Sequence, residues 1–168
     1  KNYCTLSIHS ILKKIVRMIY YYFYETIIGY LTISADEQGI TDVSVGKRKP
    51  VHAVCQETPV IKQAVSELQE YFEGRRREFT VPLHPQGTDF QLRVWQVLRT
   101  IPYGKTWSYK QVATAAGNPK ASRAVGMANN RNPIAIIIPC HRVIGANGRL
   151  VGYAGGLDVK EKLLEIEQ

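Results

Sequence analysis

A chain of 168 residues, 45% hydrophobic and 21% charged, can bury a sizeable core and is too ordinary in composition for a disordered or fibrous protein. Twenty-two Lys and Arg against fourteen Asp and Glu give a formal charge of +8, which favours a polyanionic partner, with nucleic acid first. The three cysteines, Cys4, Cys55 and Cys140, contain no CxxC pair; they define neither a disulfide framework nor a four-ligand zinc site and point to a reducing, cytoplasmic setting.

Residues 1–19 read as an N-terminal extension without an assigned role, with Met18 as a plausible start. The run Ile15–Ile33 is apolar, but Arg17, Glu25, Gly29 and five tyrosines interrupt it, so a membrane span is not expected. Its Tyr, Phe, Ile and Thr fit β-strands, with a turn or bulge from Glu25 to Gly29. Tyr20–Ser34 and Ile40–Val45 pair as a hairpin around the turn Asp36–Gly39. Thr58–Gly74 is an amphipathic helix, because Val60, Ile61, Ala64, Val65, Leu68, Tyr71 and Phe72 recur at helical spacing. A short strand, Glu78–Leu83, follows. His84–Thr88, with Pro85 and Gly87, is a linker, dividing an N-terminal α/β domain (20–84) from a second domain (85–168).

The second half opens with a helix at Asp89–Thr100, capped by Thr88 or Asp89, then Ser108–Ala116 with Ser108 as N-cap, then Pro119–Asn129. Two short helices around Gly117 make a helix-turn-helix candidate. Charge separates the halves: residues 1–84 carry eleven basic and nine acidic side chains (+2), residues 85–168 eleven and five (+6). From Phe90 to Leu157 there is no Asp or Glu, while nine Lys and Arg occur. A solvated basic face is the plain explanation, but helices ordinarily use carboxylates in their first turns, and an acid-free surface suits a phosphate ligand. On the helix that begins PKASRAVG, small residues (Ala121, Ser122, Ala124, Gly126) flank the cation Arg123, which fits either close approach to DNA or tight core packing.

The chemistry concentrates in NPIAIIIPCHRV, residues 132–143, where a buried β-like run from Ile134 to Ile138 precedes Cys140, His141 and Arg142. A free Cys after isoleucines is commonly a core residue, but His and Arg beside it favour thiolate over thiol. Neighbours on an extended chain point apart, so His141 reaches the sulfur only if the chain bends or a water relays the proton. The four histidines have no ligand-like spacing, and no cofactor motif occurs. A cysteine hydrolase is a distant alternative, because it leaves the acid-free basic half unexplained.

PCHRV, preceded by RAVGMANNRNP and followed by GYAGGL and VKEKLL, resembles the O6-alkylguanine-DNA alkyltransferase family, as do IPYGKTWSY and AGNPKASRAVG. The resemblance runs from about Tyr20 to the end and implies an α+β fold: a small ribonuclease-H-like sheet-and-helix domain, then a winged-helix-like domain. It implies that Cys140 takes the alkyl group of O6-methylguanine, and of O4-methylthymine, irreversibly in a single turnover. His141 would act as base through a water, and Glu161 would orient it. Asn132 would tie the active-site turn to the helix-turn-helix, and Tyr109 would donate to N3 of the extruded base. Arg123 would fill the vacated stack from the minor groove, with Ala121, Ser122 and Gly126 allowing close approach. Val143, Tyr153 and Ala154 would contact the base. Many family members carry Ser where this chain has Ala154, so a hydroxyl donor to O6 is expected to be missing. A monomer acting on double-stranded DNA without cofactor or metal is expected. The competing function is a non-catalytic alkyl-lesion binder, which commonly replaces the reactive cysteine; the intact PCHRV argues against it.

Overall fold

The computed structural model describes residues 17–168, so the N-terminal extension up to residue 16, with Cys4, lies outside the described residues. β1 (Ile19–Thr26) and β2 (Gly29–Ala35) pair antiparallel from Tyr20↔Ala35 to Thr26↔Gly29. The apolar run near the N-terminus is therefore this hairpin, and among the described residues no helix is long and apolar enough to cross a membrane. β3 (Ile40–Val45) returns along β2 after a turn in which Asp36 Oδ1 accepts from the Gln38 and Gly39 amides. Gly39 is required there: a Cβ would stand 2.5 Å from the Pro82 carbonyl oxygen. β4 (Ala53–Cys55) joins β1 in parallel, giving the order β3-β2-β1-β4.

Helix α1 (Pro59–Phe72) covers the sheet with Ile61, Ala64, Leu68 and Tyr71, all buried. The strand expected at Glu78–Leu83 does not form; only Leu83 makes a bridge, to Ile40. Pro82 has no N–H for a ladder, and the N–H groups of Thr80 and Val81 are taken by the buried Glu67 carboxylate at 2.9 and 3.2 Å. That carboxylate also accepts from the Thr80 hydroxyl and from Gln63, and the four bonds hold its pKa below the ordinary range although burial raises it.

The helical C-terminal domain contains α2 (Asp89–Leu98), α3 (Tyr109–Ala115), α4 (Ser122–Asn130) and α5 (Leu157–Ile166). Thr88 and Ser108 head α2 and α3 with complete capping boxes, closed by Gln91 and Gln111. α4 starts three residues later than Pro119, because Asn118 caps a separate turn: its side chain accepts from Lys120 N and its carbonyl from Ala121 N. Trp95 of α2 donates its indole N–H to the Ala128 carbonyl at 2.8 Å, fixing α4 across α2. β5 (Trp107–Ser108) and β6 (Val143–Ile144) form a short parallel pair.

The run Ile134–Ile138 is not a strand. Ile134 alone bridges, to Val43 of β3, and the chain then turns tightly with Ile136 at φ 72°. A β-branched residue there costs roughly 1–3 kcal/mol. Burial of Ile134, Ile136, Ile137 and Ile138 and the hydrogen bonds of Asn132 hold the turn in place. This bridge seats the edge strand of the sheet directly beside the segment that carries the thiol.

Candidate active site

Asn132 shapes the loop that presents Cys140. Its amide nitrogen donates to the carbonyls of Ile138 (2.8 Å) and Ile134 (3.4 Å), and its Oδ1 accepts from Ile134 N at 3.0 Å. After Pro139 the chain enters a single 3-10 turn, Cys140–Arg142, closed by Arg142 N donating to the Pro139 carbonyl. The turn supplies the bend that an extended chain lacks, and it sends Cys140 and His141 to different environments.

Cys140 is 5% exposed and lines a cavity of about 180 Å³ whose walls include Asn129, Asn132, Ala135 and Tyr153–Gly155, together with Asp42, Ser44 and Arg48 from the N-terminal domain. Burial pushes its thiol up; the Asn132 amide, the Lys160 ammonium and the N–H groups of Cys140 and His141 pull it down without cancelling that effect. The resting sulfur is thus a thiol, contrary to the thiolate that the flanking His and Arg suggest. Neither neighbour lends it charge: Arg142 is bound to a carboxylate, and burial drives His141 to its neutral form.

That carboxylate is Glu167, just after α5, and it is 4% exposed. Oε1 accepts from His141 Nε2 (2.7 Å), the Tyr71 hydroxyl (2.7 Å) and Arg142 Nη2 (3.0 Å); Oε2 accepts from Arg142 Nε (2.9 Å) and Gly104 N (3.2 Å). Gly104, at φ 73°, lets the loop after α2 approach the end of α5, since a Cβ there would stand 2.8 Å from the Glu167 carbonyl oxygen. Burial alone would raise this carboxyl, but its donors outweigh that and hold it at about 2. An ionised Glu167 fixes the tautomer of His141: Nε2 carries the proton, and Nδ1, buried and without a partner among the described residues, is left as an acceptor. The thiol is protonated, and the residue after it carries a neutral imidazole with one free lone pair, oriented by a buried carboxylate. This is the arrangement of a base-activated nucleophile.

A family model described as the 6-O-methylguanine DNA methyltransferase DNA-binding domain matches residues 89–168, and one described as the ribonuclease-like domain of the same methyltransferase matches residues 19–85. A methylated-DNA–protein-cysteine methyltransferase of Methanosarcina acetivorans is 50% identical over 153 residues, covering 89% of this chain and 98% of the relative. The chain belongs to the methylated-DNA–protein-cysteine methyltransferase family. The Bacillus subtilis constitutive member is 46% identical over 90% of this chain and 96% of the relative. The crystal structure of the Mycobacterium tuberculosis O6-methylguanine methyltransferase superposes with a TM-score of 0.83 at 46% identity, covering 89% of this chain and 93% of that one. A structure of a relative from the same organism in complex with DNA gives 0.82 at 47% identity, covering 88% and 92%.

Within this methyltransferase the other expected residues fall into place unevenly. Tyr109, at the first turn of α3, donates its hydroxyl to the Val151 carbonyl at 3.3 Å, and its ring faces Gly126 of α4. Burial and then the field of Cys140 raise its pKa, and Tyr153, which lines the same cavity as the thiol, shifts likewise. Ala154 is exposed on the loop over the cavity; Ala121 and Ser122 open α4, with Arg123 exposed beside them. Two placements need correction. Glu161 lies on the exposed face of α5 and the carboxylate on His141 is Glu167. Val143 puts its side chain in the core, paired with Trp107, and its carbonyl accepts from Lys160 at 2.6 Å.

Sequence reasoning missed Glu167, Lys160, Tyr71 and Asn129. For the first two a signal existed: Lys160, Leu163 and Glu167 are spaced three and four apart, one buried stripe of α5, and Glu161 is off it. Lys160, wholly buried, also donates to the Val151 carbonyl at 2.9 Å and so ties β6 to the cavity loop. Tyr71 was legible only as a core residue, because nothing local says that its hydroxyl meets a carboxylate 96 positions away. Among the described residues no group of three or more His, Cys, Asp or Glu could hold a metal ion.

Proposed function

We propose that this chain repairs DNA by direct reversal, moving the alkyl group of O6-methylguanine, and of O4-methylthymine, onto Cys140 in one irreversible turnover. The observation that carries the reading is the buried series Cys140, His141, Glu167, in which a protonated thiol adjoins an imidazole whose Nδ1 is free. Nδ1 takes the thiol proton through a water, and Glu167 stabilises the imidazolium as it forms. Sγ attacks the methyl carbon; the S–C bond forms as the C–O6 bond breaks, and its electron pair passes into the guanine ring. Guanine leaves after gaining the proton that the thiol gave up, so atoms and charge balance without a co-reactant. Tyr109 releases Val151 and donates to N3 of the departing base. Backbone N–H groups of the loop 152–156 face O6, because Ala154 has no hydroxyl to offer. A thioether resists hydrolysis, so each chain acts once.

The partner is duplex DNA. Extruding the damaged nucleotide costs roughly a few kcal/mol. α4 enters the minor groove with Arg123 in the vacated stack, and Ala121, Ser122 and Gly126 let its backbone approach. The degenerate code of that groove suits a protein that must scan without reading sequence. The chain works as an intracellular monomer.

The test is intact-protein mass after incubation with a duplex carrying one O6-methylguanine. A gain of one methylene, about 14 Da for an S-alkylated nucleophile, saturating at one per chain and absent in Cys140→Ala, is the expected result. Tight lesion binding with no mass change would make the chain a non-catalytic lesion binder.

A further inference from the structure

The turn that carries the thiol borders a second cavity. Cys140 lines the one described above, whereas Ile137, Pro139 and Arg142 line another of about 570 Å³, and the two have no wall residue in common. Its other walls come from the strap after α1, with Arg77, Glu78 and Phe79, and from the loop after α2, with Arg99 and Tyr103. That volume is in the range of pockets that hold small molecules rather than single ions.

Three guanidiniums meet at this cavity. Arg77 stands 5.3 Å and Arg142 5.8 Å from the centre of the Tyr103 ring, and Arg99, the C-cap of α2, joins them in the wall. Arg142 is 6% exposed. Its Nε and Nη2 donate to Glu167 and its Nη1 to the Ile101 carbonyl, one bond each. A guanidinium has five N–H groups, so two on this buried side chain have no acceptor among the described residues, a costly arrangement for a charged donor. Arg77 and Arg99 have no carboxylate partner among the described residues either, and Glu78 is the one carboxylate of the wall. Donors in this number match an oxyanion with several acceptor oxygens. Phe79, Ile101 and Pro102 add an apolar surface beside them.

We propose that this cavity is a second ligand site, which binds the phosphate monoester of a small molecule with an aromatic body, a mononucleotide by chemical class. Arg77, Arg99 and Arg142 donate to the phosphate oxygens, which their planar forks fit in pairs, and Phe79 covers the ring. Arg142 holds Glu167 through Nε and Nη2, so the site adjoins the buried series of His141 without entering the cavity of the thiol.

The test is calorimetric titration of the full chain with adenosine 5′-monophosphate and with inorganic phosphate, at an ionic strength that screens loose surface pairing. The nucleotide is expected to bind about tenfold or more tightly than phosphate, which leaves the apolar wall uncovered. Arg77→Gln and Arg99→Gln, both at exposed positions, should each weaken nucleotide binding by about tenfold. Arg149→Gln removes the same charge outside the cavity and should leave it unchanged. Hydrogen–deuterium exchange locates the ligand, with protection expected at residues 77–79 and 99–103. Absence of binding, unchanged affinity in Arg77→Gln and Arg99→Gln, or an equal loss in Arg149→Gln would overturn the proposal. So would phosphate that binds as tightly as the nucleotide, or protection confined to the loop 152–156.

Discussion

Glu167→Gln keeps the size of the side chain and removes its charge, at a group that accepts from Tyr71, His141, Gly104 and twice from Arg142. The carboxyl sits at about 2 against an ordinary 4.5, a depression worth about 3 kcal/mol at roughly 1.36 kcal/mol per unit. Removing one partner of a buried ion pair independently costs about 3–5 kcal/mol, so the two routes agree. At roughly 2–4 °C per kcal/mol for a chain of this size, melting should drop by about 6–20 °C. A fold with 5–15 kcal/mol to lose, the general range for native proteins (roughly), generally survives that. The chemistry suffers more, because a neutral amide neither stabilises the imidazolium nor fixes the tautomer, and transfer should slow by about 10²-fold or more. Single-turnover mass spectrometry on a methylated duplex measures the rate, and thermal circular dichroism measures the stability. Glu161→Gln, on the exposed face of α5, should alter neither. A normal rate in Glu167→Gln, or a comparable loss in Glu161→Gln, would refute the assignment.

The depressed carboxyl of Glu167 fixes the sign of the acid response: its stabilisation is whole above pH about 4.5 and is lost as pH falls toward about 2. Urea titrations across that window should give a steep loss in wild type and a flatter one in Glu167→Gln. Because burial holds His141 below its ordinary 6.5, the transfer rate should keep its neutral-pH value past 6.5 and fall only under more acid conditions, as a rate–pH profile would reveal. Arg123→Ala should slow transfer from duplex by about tenfold, a fraction of the cost of extruding the base, and spare transfer from a single strand; equal loss on both would remove Arg123 from the stack. Ala154→Ser restores a hydroxyl over the cavity and should speed methyl transfer more than benzyl transfer; no change in either rate would show that the loop's N–H groups suffice.

The parts legible in the sequence were those with a local cause. Helix α1 followed from its apolar stripe, α2 and α3 from Thr88 and Ser108 at their heads, and the β1–β2 and β2–β3 turns from Gly29 and Asp36–Gly39. The failures share a different cause, a distant group that claims the backbone. Glu67 takes the amides of Thr80 and Val81, and what looked like a strand becomes an irregular strap. Asn132 gathers the carbonyls of Ile134 and Ile138, and an isoleucine run of apparent β character becomes a tight turn. The same limit applied at the site. Cys140 and His141 stood out by adjacency, whereas their supports come from 26 residues downstream and 70 upstream.

The acid-free stretch from Phe90 to Leu157 acquires its reason once Glu167 is located. A phosphate-facing surface excludes carboxylates, yet an imidazole that must accept a proton works best against one. Both demands are met by drawing the carboxylate from beyond the acid-free stretch and burying it, where Arg142 neutralises it and Tyr71 and Gly104 saturate its oxygens. Arg142 is then the one cation of that stretch paired with a carboxylate among the described residues, which leaves Arg93, Arg99, Lys105, Lys110, Lys120, Arg123, Arg131 and Arg149 without a carboxylate partner. The charge pattern in the sequence is the outward trace of that division: carboxylate inside, cations outside.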